Sequence, residues 1–289
     1  MVSVKALFAY VLVALLSAIV FLVLLFPDQA VKAYVDSRLA AIDPSLSMVA
    51  ETIRPAIPPG LKMTGVDLNR NHVRLARFED ARVSPDLTTV LQDKKQIRFQ
   101  ARIAEGTVNG RATLEGADPS GPLRVEADLS EIRLGKLDAI KTHAPFTLSG
   151  SLKGRVTHDG ARAPTGITSG LLNVSDLHIT LKAPFFGITE LVMDQTDADF
   201  SVSGGNLRLK SLTFDGPMVE GKITGTIELR QPFEQSRLNL TGNAKPQPEL
   251  LARLQETIPQ GVVNTRTMGT RGLTFRVRGS IDNPDVSMR

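Results

Sequence analysis

The side chains able to do acid–base, nucleophilic or metal chemistry are few in this chain and poorly grouped. There are 4 histidines, His72, His143, His158 and His178, and no cysteine. Zinc needs three or four converging nitrogen or sulfur ligands, commonly from an H-x-x-x-H helical turn or from paired cysteines. No such spacing occurs, and each histidine reads as a surface or strand-edge residue. The densest carboxylates are Asp194, Asp197 and Asp199. Asp197 and Asp199 would share a strand face beside Gln195 and Thr196, without the glycine and closing glutamate of a calcium loop. Ser203-Gly204-Gly205 lacks the lysine of a phosphate loop and reads as a hairpin turn. No enzyme activity, metal or cofactor is expected, and a periplasmic hydrolase would have only these scattered Asp and His residues behind it.

The elements that position these residues begin with Ala6–Phe26, a run without a single charge. A helix needs about 20 apolar residues to cross a hydrocarbon core of roughly 30 Å. In lipid each peptide group must be satisfied inside the segment, so the run reads as one transmembrane helix. It is longer than the apolar core of a cleavable signal peptide, and Phe26-Pro27-Asp28 offers no small-x-small cleavage site. The basic residues flanking it, Lys5 against Lys32 and Arg38, leave the positive-inside rule close to silent. The absence of cysteine suits a periplasmic domain. The expected organisation is a cytoplasmic tail (1–5), a transmembrane helix (6–26), an amphipathic helix and Pro-rich linker (27–60) and a periplasmic β-rich domain (61–289). The location this implies is the bacterial inner membrane, single-pass.

The net charge of +4 and pI near 9.4 do not point to nucleic acid. Basic residues occur singly along strands, as in Arg208-Leu209-Lys210 and Arg276-Val277-Arg278, and there is no tryptophan on which bases could stack. Such alternation is the wet face of a sheet.

Asp28 to Ile42 carries Val31, Tyr34, Val35 and Leu39 at helical spacing, with Pro27 suited to the opening turn. Pro58-Pro59-Gly60 then changes the texture. From Leu61 onward short runs alternate with period two: Ile97/Phe99/Ala101/Ile103, Leu123/Val125/Ala127/Leu129, Leu238/Leu240 and Leu273/Phe275/Val277. This predicts some twelve to fourteen antiparallel strands in a long curved sheet, as an open curl or a flattened barrel or sandwich, with a few short helices. Helices are expected over Pro248–Ile258 and Leu134–Ile140. A Gly-x-aliphatic-x-Gly pattern recurs at Gly106/Val108/Gly110, Gly150/Leu152/Gly154 and Gly221/Ile223/Gly225, with an echo at Gly279. Glycine weakens a strand, so a recurrent one implies tight bending or close approach of another backbone. The candidate apolar groove face is Val108, Leu152, Val156, Val219, Ile223, Ile227, Leu238 and Leu240. The expected sheet edge is Leu273 to Met288, broken by Pro284, with Leu273, Phe275 and Val277 as candidate contacts.

Several stretches taken together resemble a known family. These are the span ending Leu25-Phe26-Pro27, then Tyr34-Val35-x-x-Arg38-Leu39, then Pro55-Ala56-Ile57-Pro58-Pro59-Gly60-Leu61. A last run extends from Gly216-Pro217 through Gly221, Gly225 and Leu229 to Ser236-Arg237-Leu238-Asn239-Leu240-Thr241-Gly242. The chain resembles the GspN family, the N component of bacterial type II secretion systems, over essentially its whole length. Its Gly-x-aliphatic-x-Gly strands are also similar to those of AsmA-like envelope proteins. The first resemblance implies an inner-membrane accessory protein whose periplasmic sheet scaffolds the secretion apparatus, with other secretion components as partners and no catalytic residues. The second implies a lipid-binding or lipid-transfer groove that takes phospholipid. Partners in either case include the inner membrane and exclude nucleic acid.

Overall fold

The computed structural model describes residues 28–42, 45–57, 59–71, 73–89, 92, 94–115, 122–138, 146–162, 166–185, 188–248, 250 and 272–288. The apolar run 6–26, His72, His143 and most of the helix expected over Pro248–Ile258 lie outside them. Among the described residues no helix is long and apolar enough to cross a membrane.

One helix, α1 (Asp28–Ile42), precedes the strands at the limits its apolar spacing predicts. The strands are β1 (Leu46–Ala56), β2 (Gly60–Arg70), β3 (Val73–Pro85), β4 (Lys94–Ile103), β5 (Gly106–Glu115), β6 (Leu123–Arg133) and β7 (Phe146–Asp159). They continue with β8 (Ile167–Phe185), β9 (Ile188–Ser203), β10 (Asn206–Asp215), β11 (Val219–Glu228), β12 (Arg237–Pro246), β13 (Leu273–Ser280) and β14 (Pro284–Met288). Each pairs antiparallel with the next, in a single 14-stranded sheet ordered β1 to β14. No ladder joins β14 back to β1, so the sheet is open and not a barrel. Hairpins between sequence neighbours explain this order: every strand finds its partner at the shortest loop-closure distance.

The sheet begins earlier than expected. Residues 46–56 read as part of a linker because their alternation breaks, yet they form β1 and pair with β2 from Leu46↔Arg70 to Ala56↔Gly60. The break is an irregularity at Glu51 opposite Gly65, whose φ is +56°. It returns Ala50 and Ile53, an odd spacing apart, to one buried cluster with Met63 and Val66. Elsewhere the ladder itself shifts register, for instance between Phe78 and Asp80, between Leu129 and Ile132, and between Leu209 and Leu212. Over the described part of Leu134–Ile140 the chain forms a 3-10 helix at Leu134–Lys136, is extended at Leu137 and helical again at Asp138, and Leu134 and Leu137 pack onto the sheet. Ser203-Gly204-Gly205 is the expected hairpin, with Ser203 paired to Asn206 and both glycines at positive φ, +55° and +75°.

α1 runs antiparallel to β1. Val31, in its first turns, packs on the cluster of Ala50, Ile53, Met63 and Val66. Asp36 Oδ1, further along, accepts from the Met48 N–H near the start of β1 at 3.4 Å. The end of α1 that joins the apolar run 6–26 therefore points toward the β1–β2 turn.

A one-sided apolar face as the candidate functional site

Following the register across the sheet shows how the strands are used. Ile53, Met63, Ala81, Ala101, Val108, Leu129 and Gly154 are successive cross-strand partners. The row goes on through Leu172, Ala198, Leu212, Ile223, Gly242 and Phe275 to the register position of Met288. A parallel row starts at Pro55 and Leu61, passes Val83, Phe99, Gly110, Ala127, Val156 and Gly170, and ends with Phe200, Leu209, Gly225, Leu240, Val277 and Val286. Neither row holds a polar or charged side chain. At the usual spacing between strands of about 4.8 Å, both run on the order of 60 Å.

Beyond β4 the aliphatic members of these rows are half-buried. The buried apolar side chains gather in separate clusters, around Ile53 and Val66 at one end, around Leu134, Leu177 and Met193 in the middle, and at Met218 and Leu250, against which Val219 packs. Large parts of a continuous apolar face therefore keep contact with water, which is unusual for a surface of this extent.

All the candidate groove residues lie on this face. Val108 and Ile223 belong to the first row, and Val156 and Leu240 to the second. Ile227 and Leu238 are partners in a third. Leu152 pairs with Ile132 and Val174, and Val219 with Pro246. The candidate edge residues sit differently. Leu273, Phe275 and Val277 are on β13, one strand in; Val277 pairs with both Leu240 and Val286. The edge itself is β14, because the chain turns at 281–283 and Pro284 begins a new strand rather than ending an old one.

The recurring glycines have two roles. Gly110, Gly170, Gly221 and Gly242 each lie directly opposite a phenylalanine, respectively Phe99, Phe200, Phe214 and Phe275. A Cβ built on Gly170 would stand 2.4 Å from Phe200 Cε1, and one on Gly242 2.5 Å from Phe275 Cζ. The rings lie down on bare backbone, which covers peptide groups that a glycine would otherwise expose. Gly154 and Gly225 do the second job. Their φ values are +157° and +145°, and an added Cβ would meet the Leu171 and Asn239 carbonyl oxygens at 2.3 Å. That is the close backbone approach expected of the repeat; the phenylalanine seats carried no local signal, because register alone decides which ring faces which glycine.

Polar groups on the dry face are rare and local. His158 Nδ1 and Thr168 Oγ1 are bonded to each other at 2.9 Å. Thr196 Oγ1, only 7% exposed as a residue, has no hydrogen-bond partner among the described residues.

The opposite face is wet and laced with cross-strand ion pairs: Arg102 with Asp80, Arg111 with Glu126, Arg155 with Asp128, Lys153 with Glu131, Lys210 with Asp199 and Lys245 with Glu220. Hydrogen bonds from Lys153 and Ser151 hold the Glu131 carboxyl below the usual range, and the Asp128 carboxylate raises the Arg155 guanidinium. The aspartates noted in the sequence belong here. Asp197 accepts from Asn173 and Gln195 at 2.9 Å, and Asp199 from Lys210. Asp194 is exposed, and His178 meets Glu190 at 3.0 Å. A shallow depression of about 320 Å³ on this face is lined by Lys153, Leu171, Asn173, Asp197 and Asp199. Among the described residues no three His, Cys, Asp or Glu side chains converge as a metal site would require.

No family model, no curated protein and no solved structure matches the chain.

Proposed function

We propose that this is a membrane-anchored envelope protein whose dry sheet face seats the acyl chains of lipids. The observation that carries the reading is the pair of uninterrupted apolar rows, only partly buried along most of their length. Hydrocarbon suits such a surface better than a peptide does. The ladder has already consumed the backbone donors and acceptors of the inner strands, so a peptide laid on the face would lose water without gaining partners. An acyl chain has nothing to satisfy, and each methylene removed from water contributes about 0.8 kcal/mol. The phenylalanines seated on glycine keep the floor low and free of backbone polarity. The test is photocrosslinking in vesicles that contain phospholipid with a diazirine in its acyl chain, using the full chain. Adducts at Val108, Leu172 and Ile223 are expected; adducts confined to residues 6–26, with none on the dry face, refute the reading.

A second reading takes the chain as a periplasmic accessory of a type II secretion system, and it rests on the resemblance together with the unpaired outer side of β14. In that case crosslinkers placed at Asp285 or Ser287 capture another secretion component, and deleting the gene lowers export of folded substrates. Normal export in the deletion strain removes it.

A further inference from the structure

Cross-strand ion pairs neutralise much of the wet face, but one corner of it sets three basic side chains directly beside one another without any among the described residues. Arg54, Lys62 and Arg82 are direct cross-strand partners on β1, β2 and β3. Like charges set opposite one another destabilise a sheet unless something offsets them. Arg102, Arg111 and Arg155 on this face meet carboxylates, but no ion pair forms at Arg54, Lys62 or Arg82 among the described residues. Arg82 Nη2 instead donates to the Ile57 carbonyl at 2.6 Å, which ties the basic row to the β1–β2 turn. Ile57, at the tip of that turn, is 80% exposed, and Leu87, in the neighbouring β3–β4 connection, is 59% exposed. Lys95, exposed and likewise without an ion pair among the described residues, stands at the same end. Large apolar side chains held out into water, with cations just behind them, are what a lipid headgroup layer accommodates: the apolar tips enter the interface and the cations meet phosphates.

The direction of α1 says which membrane is within reach. Its first residues lie toward the β1–β2 turn, as Val31 and Asp36 show, so the chain enters α1 from the side of the sheet on which Ile57 and Leu87 lie. The geometry points to a membrane-docking corner: the Ile57 turn and the Leu87 connection rest on the anionic leaflet into which residues 6–26 insert, with Arg54, Lys62 and Arg82 paired to phospholipid phosphates. This holds one end of the sheet against the bilayer instead of leaving it swinging on its anchor. It rests on residues 6–26 being a span and does not depend on what the dry face binds.

The chain has no tryptophan, so a single introduced one reports position. Full-length protein carrying Ile57→Trp is reconstituted into vesicles of phosphatidylethanolamine and phosphatidylglycerol with brominated acyl chains. Leu171→Trp, on the wet face at mid-sheet and 63% exposed, is the control. Strong quenching at position 57 and little at position 171 is expected. A Lys or Arg beside an anionic leaflet contributes ~1 kcal/mol, so Arg54→Gln, Lys62→Gln and Arg82→Gln together should lower the docked-to-undocked ratio by about a hundredfold. Raising the salt on the otherwise unaltered Ile57→Trp protein should act in the same direction. Equal quenching at both positions, or quenching at position 57 that ignores both salt and the triple substitution, overturns the proposal. Flotation of the same samples separates the two layers of the argument. Protein that fails to float with vesicles refutes the span and the docking together, whereas Ile57→Trp protein that floats with its indole unquenched refutes the docking alone.

Discussion

Replacing Gly170 with alanine puts a methyl group where the ring of Phe200 now lies. The new Cβ would be 2.4 Å from Cε1 and 2.5 Å from Cζ, whereas carbon atoms settle at about 3.5–4.0 Å. The ring must withdraw by about 1 Å or swing off the strand. Truncating a fully buried phenylalanine costs about 3–5 kcal/mol. Phe200 is half-buried, so its seat is worth about 2 kcal/mol on that scale. Removing a glycine from a strand returns about 0.5–1 kcal/mol. Gly170→Ala should therefore destabilise the β8–β9 pair by about 1 kcal/mol. With Phe200→Ala already present there is no ring to displace, and the same substitution should change sign and stabilise by about 0.5–1 kcal/mol. The coupling energy is then about 2 kcal/mol. Amide hydrogen exchange of β8 and β9 in the full-length protein reads this locally, which suits a long sheet that need not open as one unit. If Gly170→Ala costs the same in both backgrounds, the ring has no part in the effect and the account of these glycines fails.

Thr196→Val should stabilise the middle of the sheet by about 1 kcal/mol, since it removes a buried hydroxyl that has no partner; slower exchange across β8–β10 would register the gain, and faster exchange would mean that the hydroxyl is bonded in solution. Asp86 carries an acid-sensitive turn. Its carboxylate accepts from Thr88 Oγ1 and from Arg98 Nη2, each at 2.6 Å, and these bonds, with that of the Thr88 hydroxyl the largest, lower its pKa from the ordinary 3.8. A lowered folded pKa means that the stabilisation is complete above 3.8 and is lost as pH falls below it through the folded value. Exchange at Leu87–Thr89 should accelerate over that window in the native chain and lose that dependence in Asp86→Asn.

How far the sequence revealed this fold varied with how local the cause was. α1 was legible to the residue because Pro27 and the spacing of Val31 and Val35 act within a few turns. β4, β12 and β13, and β6 as far as Leu129, were legible because their alternation is unbroken there. β1 was not, since the irregularity at Glu51 and Gly65 puts Ala50 and Ile53 on one face at an odd spacing that period-two reading rejects. The site divided in the same way. Val108, Val156, Ile223 and Leu240 could be assigned to one face from alternation alone. That they join across the whole sheet into rows without a polar break depends on the register of every hairpin, and no single strand encodes that. The basic row is similar: Arg54, Lys62 and Arg82 are scattered in the chain and become neighbours only through two hairpins.

The two ends of the sheet bear on which surface acts. An open ladder leaves unpaired N–H and C=O groups at both edges, and proteins blunt such edges to prevent indiscriminate strand addition. Here β1 is covered by α1, with Asp36 bonded to the Met48 N–H. β14 is blunted differently: it is short, it opens on Pro284, which has no N–H, and it carries the exposed Asp285. Both edges are thus defended. The dry face is covered only in part: α1 packs on it at Ile53 and Met63 and Leu250 packs at Met218 and Val219, while Val286 at the end of its row is 47% exposed and the aliphatics between stay half-buried. A fold that guards its edges and leaves tens of ångströms of hydrocarbon surface wet makes sense if that surface meets hydrocarbon. That ranks acyl seating on the face ahead of partner capture at β14, and it predicts that Val286→Lys disturbs lipid crosslinking near β14 while leaving the ladder from β1 to β13 intact. Undiminished crosslinking there in Val286→Lys would move the weight of the argument back to the edge.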